Sequence, residues 1–249
     1  MYPLDSYHIA EVLTSLGGRT GVTSDEMAQL EFLYLSALDH SERGIPNLER
    51  QISESPALFG QAVALTYKRS DDGEDPPEWR IEDPEHRAAV AAATHRLLGR
   101  INRIPGTASD GTINKEALML WLTEARRLCA QHGRAEIGDQ CIGQLLSRAT
   151  AEDDGIRPCL AICEAMEAIA SPDIAQGFAI GVYNARGAHY REEGGGQERE
   201  LADKYRDWAR RRAIDYPYVS SVLNRIAVSY DRDAEWHDSD AQVRKRLRH

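Results

Sequence analysis

The stretch NKEALMLWLTEARRLCAQHG, residues 114–133, decides the fold. Leu118, Trp121, Leu122, Ala125, Leu128 and Cys129 recur at three- and four-residue intervals, the spacing that collects apolar side chains on one side of an α-helix. Asn114 precedes the run as a capping side chain, and Gly133 closes it. Working outward in both directions, the same pattern fills the chain almost from end to end, and no stretch alternates as a strand would.

Toward the N-terminus, Asp5 or Ser6 caps a short helix through Ile9, Val12, Leu13 and Leu16, which Gly17-Gly18 stops. Thr23 and Glu26 have the spacing of a capping box ahead of Met27, Leu30, Phe32, Leu33, Leu35 and Leu38. Ser55-Pro56 is a cap and first-turn pair, opening a helix through Phe59, Ala62, Val63 and Tyr67. From Pro84 an alanine-rich helix is predicted to carry Val90, Thr94, Leu97, Ile101 and Ile104 as far as Pro105-Gly106. Toward the C-terminus, a helix through Ile137, Cys141, Ile142 and Leu145 contains Gly138 and Gly143. These glycines are five residues apart and so face different sides, each marking close packing. Ser171-Pro172 caps another helix, and Val219, Val222, Leu223 and Ile226 begin a further one. A separate last element is expected over about Asp238 to Leu247, closing with Arg244, Lys245, Arg246, Arg248 and His249.

The fold expected is therefore all-α, an antiparallel helical array in the manner of a HEAT-like or tetratricopeptide-like solenoid or an irregular bundle, although no fixed repeat period is found. Its organisation is read as an N-terminal helical segment over 1–70, an acidic proline-rich loop over 71–83 and a main helical region over 84–249, or one continuous domain.

Composition narrows the function classes. Thirty Lys and Arg against forty Asp and Glu give a formal charge of −10, which disfavours wrapping nucleic acid through the overall field; any basic surface is local. Residues 1–5 lack the basic start of a secretory signal, and no run approaches the roughly 20 apolar residues of a membrane span, so a cytoplasmic location without membrane contact is expected. Cys129, Cys141, Cys159 and Cys163 all lie in helical patterns beside aliphatic residues, reading as reduced, buried thiols. A zinc set of Cys129, His132, Cys141 and one of Cys159 or Cys163 is the less favoured alternative. No metal or cofactor is expected.

Two loops stand out as candidate binding sites. Ser70 to Arg80 breaks the helical pattern with an acidic run and Pro76-Pro77, and is read as a solvated loop whose Trp79 pins it to the helical body beside Arg80. Asn184 to Gly196 gathers Arg186, His189, Tyr190 and Arg191 ahead of three glycines on a connection between helices. There is no nucleophile elbow, zinc-protease helix, phosphate loop or dinucleotide fingerprint.

The runs Ile45-Pro46-Asn47-Leu48-Glu49-Arg50-Gln51, Asp71 to Arg80, Gly138-Asp139-Gln140-Cys141-Ile142-Gly143-Gln144 and Gly181-Val182-Tyr183-Asn184-Ala185-Arg186-Gly187 carry a resemblance. The chain resembles the C-terminal region of very large, poorly characterised bacterial proteins associated with multi-gene defence or stress loci. The resemblance implies a terminal helical region of something longer, or a free-standing relative, with a ligand-sensing or partner-docking role; it brings no catalytic residues with it. The expected function is thus a helical module that binds a partner protein or other domains of a larger assembly, nucleic acid being less favoured. The alternative is a hydrolytic enzyme, such as a nuclease, using His189 with Glu192 or Glu193.

Overall fold

The computed structural model describes residues 6–39, 41–152, 154–186 and 194–247. Among them are eleven α-helices: α1 (Ser6–Gly17), α2 (Ser24–Leu33), α3 (Pro46–Glu54), α4 (Pro56–Thr66), α5 (Pro84–Leu98), α6 (Lys115–Gln131), α7 (Ala135–Leu146), α8 (Leu160–Ile169), α9 (Pro172–Asn184), α10 (Gly196–Arg212) and α11 (Pro217–Leu247). A 3-10 turn at Pro77–Trp79 and one isolated bridge between Thr107 and Ile113 complete the regular structure, and no sheet is present among the described residues. The protein is all-α.

Local chemistry sets the helix starts. Thr23, Ser55, Asn114 and Ser171 each accept the backbone N–H three residues on, and Glu26 returns the bond to Thr23 to complete the capping box. One apolar cluster runs from Leu13 to Tyr230. Within it, Phe59 of α4 meets Trp121 of α6 with ring centres 5.0 Å apart, and the buried Trp121 Nε1 donates to the Ile52 carbonyl at 3.1 Å. Glu31, fully buried, accepts from Arg43, from Asn47 Nδ2 and from the Leu48 N–H at 2.8–2.9 Å, so its carboxylate sits on the first turn of α3 where free N–H groups favour negative charge.

Two helix pairs approach backbone to backbone. A methyl group on Gly143 of α7 would lie 2.1 Å from the Ile174 carbonyl oxygen of α9, and one on Gly177 2.0 Å from that of Gln140. Gly181 faces Gln144 and Ser147, so α7 and α9 run parallel with α8 making the return. Gly138 faces the other way, against Cys129 of α6, as its five-residue offset from Gly143 predicts. In the second pair, Gly195 at the cap of α10 and Ala202 and Ala209 along it face Ser220, Ala227 and Ala234 of α11, all buried and each set spaced by seven. Gly195 lies against Ala234, and Ser220 Oγ donates to the Ala209 carbonyl at 2.9 Å, which places Ala202 opposite Ala227 in an antiparallel seam of small residues.

Three boundaries differ from the pattern. α5 stops at Leu98: Arg100 and Ile101 both bond back to the Leu97 carbonyl, Arg148 donates to the carbonyls of Gly99 and Ile101, and Glu49 accepts the Asn102 N–H. Long-range partners thus satisfy the unwound backbone, and Ile101 and Ile104 are buried from a connection instead of a helix. α2 ends at Leu33, and Leu35 and Leu38 reach the core from the turns beyond it. The expected separate last element is instead continuous with the helix before it as α11, since no proline or glycine interrupts 218–247.

Candidate functional site

The corner between α6 and α7 organises the site. Gly133 turns the chain with φ of +67°, and its carbonyl accepts both the backbone N–H and the hydroxyl of Ser70. Arg134 follows at the start of α7, 3% exposed, where the helix dipole disfavours a cation. Its guanidinium is met from all sides. Asp75 binds it through both carboxylate oxygens, and the carbonyls of Tyr67, His132 and Ala64 accept its remaining protons at 3.0, 2.6 and 3.1 Å. The hydrogen bond from Arg134 is the chief cause holding the Asp75 carboxyl below its ordinary range.

A second arginine knits the same loop. Arg69 makes a fork with Asp71 at 2.6 and 2.9 Å and donates to the Glu74 carbonyl, while Arg80 bonds Glu74 and the Asp75 carbonyl. The acidic run is therefore not simply solvated. Its carboxylates tie it to three arginines, Arg69, Arg80 and Arg134, and Trp79 lies 4.5 Å from the His132 ring, centre to centre. Burial, aided by nearby Arg69, lowers the His132 pKa and favours the neutral imidazole against which Trp79 rests.

Fixing the loop leaves a groove of about 660 Å³ between α4, α5 and the segment 67–82. Leu65, Ile81, Pro84, Ala88 and Ala91 supply apolar wall, and Trp79 stands in it. Lys68 and Arg87, both exposed, carry positive charge at its edge, Arg80 is paired with Glu74, and exposed Glu82 contributes one carboxylate to the same lining. Lys68 and Arg87 have no salt-bridge partner among the described residues, and Trp79 has no acceptor for its indole N–H there. The alanine-rich side of α5 is open at Ala88, Ala89 and Ala92. A larger hollow of about 860 Å³ lies between α1 and the 41–43 turn. The Trp79 groove is braced by the bonds of Arg134 to Asp75 and of Arg69 to Asp71.

The second candidate loop resolves differently. Arg186 faces inward, 3.3 Å from the buried Glu198 and with its guanidinium carbon 5.4 Å from the centre of the Tyr230 ring. Tyr230 also packs against the rings of Tyr183 and Tyr205, so Arg186 ties the end of α9 to α10 and α11 and belongs to a different cluster from Trp79 and Arg80. His189, Tyr190 and Arg191 lie outside the described residues, as do Glu192 and Glu193 on which the hydrolytic reading depends.

All four cysteines are buried, unpaired thiols. Burial pushes Cys129, Cys141 and Cys163 up to about 12, so they stand as protonated thiols near neutral pH. No cluster of three or more His, Cys, Asp or Glu is placed to hold a metal among the described residues. No helix there is long and apolar enough to cross a membrane.

Sequence pattern marks Trp79 and Arg80 but misses Arg134, Lys68 and Arg87. For Arg134 a signal exists, a cation at a helix N-terminus, which implies a carboxylate partner elsewhere; Lys68 and Arg87 are ordinary surface residues until the loop folds beside them. Compared with known proteins, the chain matches no family model, no curated protein and no solved structure.

Proposed function

We propose that this chain is a helical recognition module that docks a segment of a partner protein in the groove between α4, α5 and the Trp79 loop. The segment it suits is an apolar side chain flanked by carboxylates. The observation that carries this reading is an excess of positive charge, Lys68 and Arg87 against Glu82, at the edge of an apolar, aromatic-containing groove on a chain whose formal charge is −10. Against that background Lys68 and Arg87 are unneutralised, so an acidic segment gains Coulomb attraction at the rim while its apolar residue leaves water at the wall. The Arg134–Asp75 clamp contributes preorganisation: the groove needs little ordering when a ligand arrives. A docking role within a larger assembly is also what the resemblance of the sequence implies.

Selection of short random peptides on the immobilised protein tests the reading. Enriched peptides should carry Asp or Glu around Leu, Phe or Trp, bind more weakly as salt rises, and lose about tenfold in affinity, or about 1.4 kcal/mol, against the Lys68→Glu/Arg87→Glu variant. Enrichment of basic peptides, or an unchanged selection by the variant, contradicts it.

A further inference from the structure

α11 is 31 residues long, about 46 Å, and its buried residues end at Ala234, opposite the start of α10. Beyond that point no described residue is buried, yet the outward side of the helix is not uniformly polar. Val228, Trp236 and Val243 are 50%, 63% and 52% exposed. At 100° per residue they fall within about 80° of arc and form one stripe.

The stripe reads nearly the same in both directions. Eight residues before Trp236 stands Val228 and seven after it stands Val243; four before it is Arg232 and four after it is Asp240. A second copy of α11 laid antiparallel and crossing at Trp236 therefore sets Trp236 on Trp236 and brings Val228 beside Val243. It also places Arg232 opposite Asp240, twice, because a two-fold contact repeats each pair. Arg232 has no salt-bridge partner in its own chain among the described residues. Asp240 is about one-third exposed and among the described residues bonds the neighbouring Arg244 one turn on, leaving an oxygen for a second cation. A parallel copy would instead set Arg232 against Arg232.

We propose that the outward side of α11 is a homodimer interface, with a second copy of this chain bound antiparallel about Trp236. Charge complementarity selects this occupant: the unpaired cation and the accessible carboxylate sit symmetrically about the exposed tryptophan. One helix pair of this length gives an interface at the small end of the specific range, so the dimer dissociates in the micromolar range. The proposal is independent of the Trp79 groove.

Analytical ultracentrifugation of the full chain over a concentration series tests it. The wild type should shift from monomer to dimer, and Arg232→Asp and Asp240→Arg should each remain monomeric, since each sets like charges opposite. Mixed in equal amounts, the two variants should dimerise again, because one chain then carries a carboxylate at both positions and the other a guanidinium at both, so that opposite charges meet at each contact. Trp236→Ser should weaken association at least tenfold. None of these positions is buried, so circular dichroism and melting should match the wild type and separate lost association from lost folding. A wild type monomeric at every concentration, a dimer indifferent to these substitutions, or single variants that the mixture does not rescue overturns the proposal; in the first case a heterologous helix is the occupant to seek.

Discussion

At the scale of single residues, the arginine at position 134 decides more than any other. A cation buried at a helix start is unfavourable twice over, through desolvation and through the dipole, and it persists because Asp75 and three carbonyls meet it. Removing it strands those acceptors. Arg134→Ala should lower stability by about 2–3 kcal/mol, less than a fully buried pair because Asp75 is partly exposed. The pH dependence follows from the same bond. The Asp75 pKa is depressed in the folded state, so its contribution is complete above the ordinary value of 3.8 and is lost as pH falls through the lower folded value. Urea melts at neutral pH and near pH 3 check both points: the acid-side loss should be smaller in the variant. Equal midpoints for wild type and variant at neutral pH would contradict the clamp.

At the scale of elements, backbone approach sets the packing, and here the sequence is readable to a point. Gly138 and Gly143 announce two tight contacts on two sides of α7, and they meet α6 and α9 as their offset requires. The partner of Gly143, the Ile174–Phe178 turn of α9, is not readable, because a small residue shows that something comes near without showing what. α5 ends early for a similar reason. Its periodicity continues to Ile104, but Arg148 and Glu49, distant in sequence, satisfy the backbone that unwinds after Leu98. Gly177→Ala separates propensity from packing. Alanine gains about 1 kcal/mol in a helix interior, whereas a methyl 2.0 Å from the Gln140 carbonyl costs about 3 kcal/mol or more, so the net change should be a destabilisation of about 2 kcal/mol. Gly196→Ala, where a methyl meets nothing within 4 Å, should leave the melting temperature unchanged or slightly raised. Thermal melts that rank the two variants the other way would refute the α7–α9 contact.

At the scale of the whole molecule, an acidic helical body presents a small positive groove on one part and an outward stripe on its longest helix. Trp79 and Arg80 are legible from the sequence because proline and acid break the helical rhythm around them. The groove they line is not, since it needs α5 to leave its alanines open and Arg134 to draw the loop down beside them. Arg186 shows the converse: a polar loop residue that reads as a contact site spends its charge on Glu198 and Tyr230 within the fold. The four tryptophans sample the regions that matter, with Trp79 at the groove, Trp121 and Trp208 in the core and Trp236 on the stripe. Fluorine NMR of protein labelled with fluorotryptophan, titrated with an acidic peptide bearing one leucine, reads them separately once a Trp79→Phe spectrum assigns the groove signal. The Trp79 resonance should move progressively and recover as salt is added, while those of Trp121, Trp208 and Trp236 stay in place. A titration that leaves the Trp79 signal still, or moves Trp236 in its stead, would contradict docking at the groove.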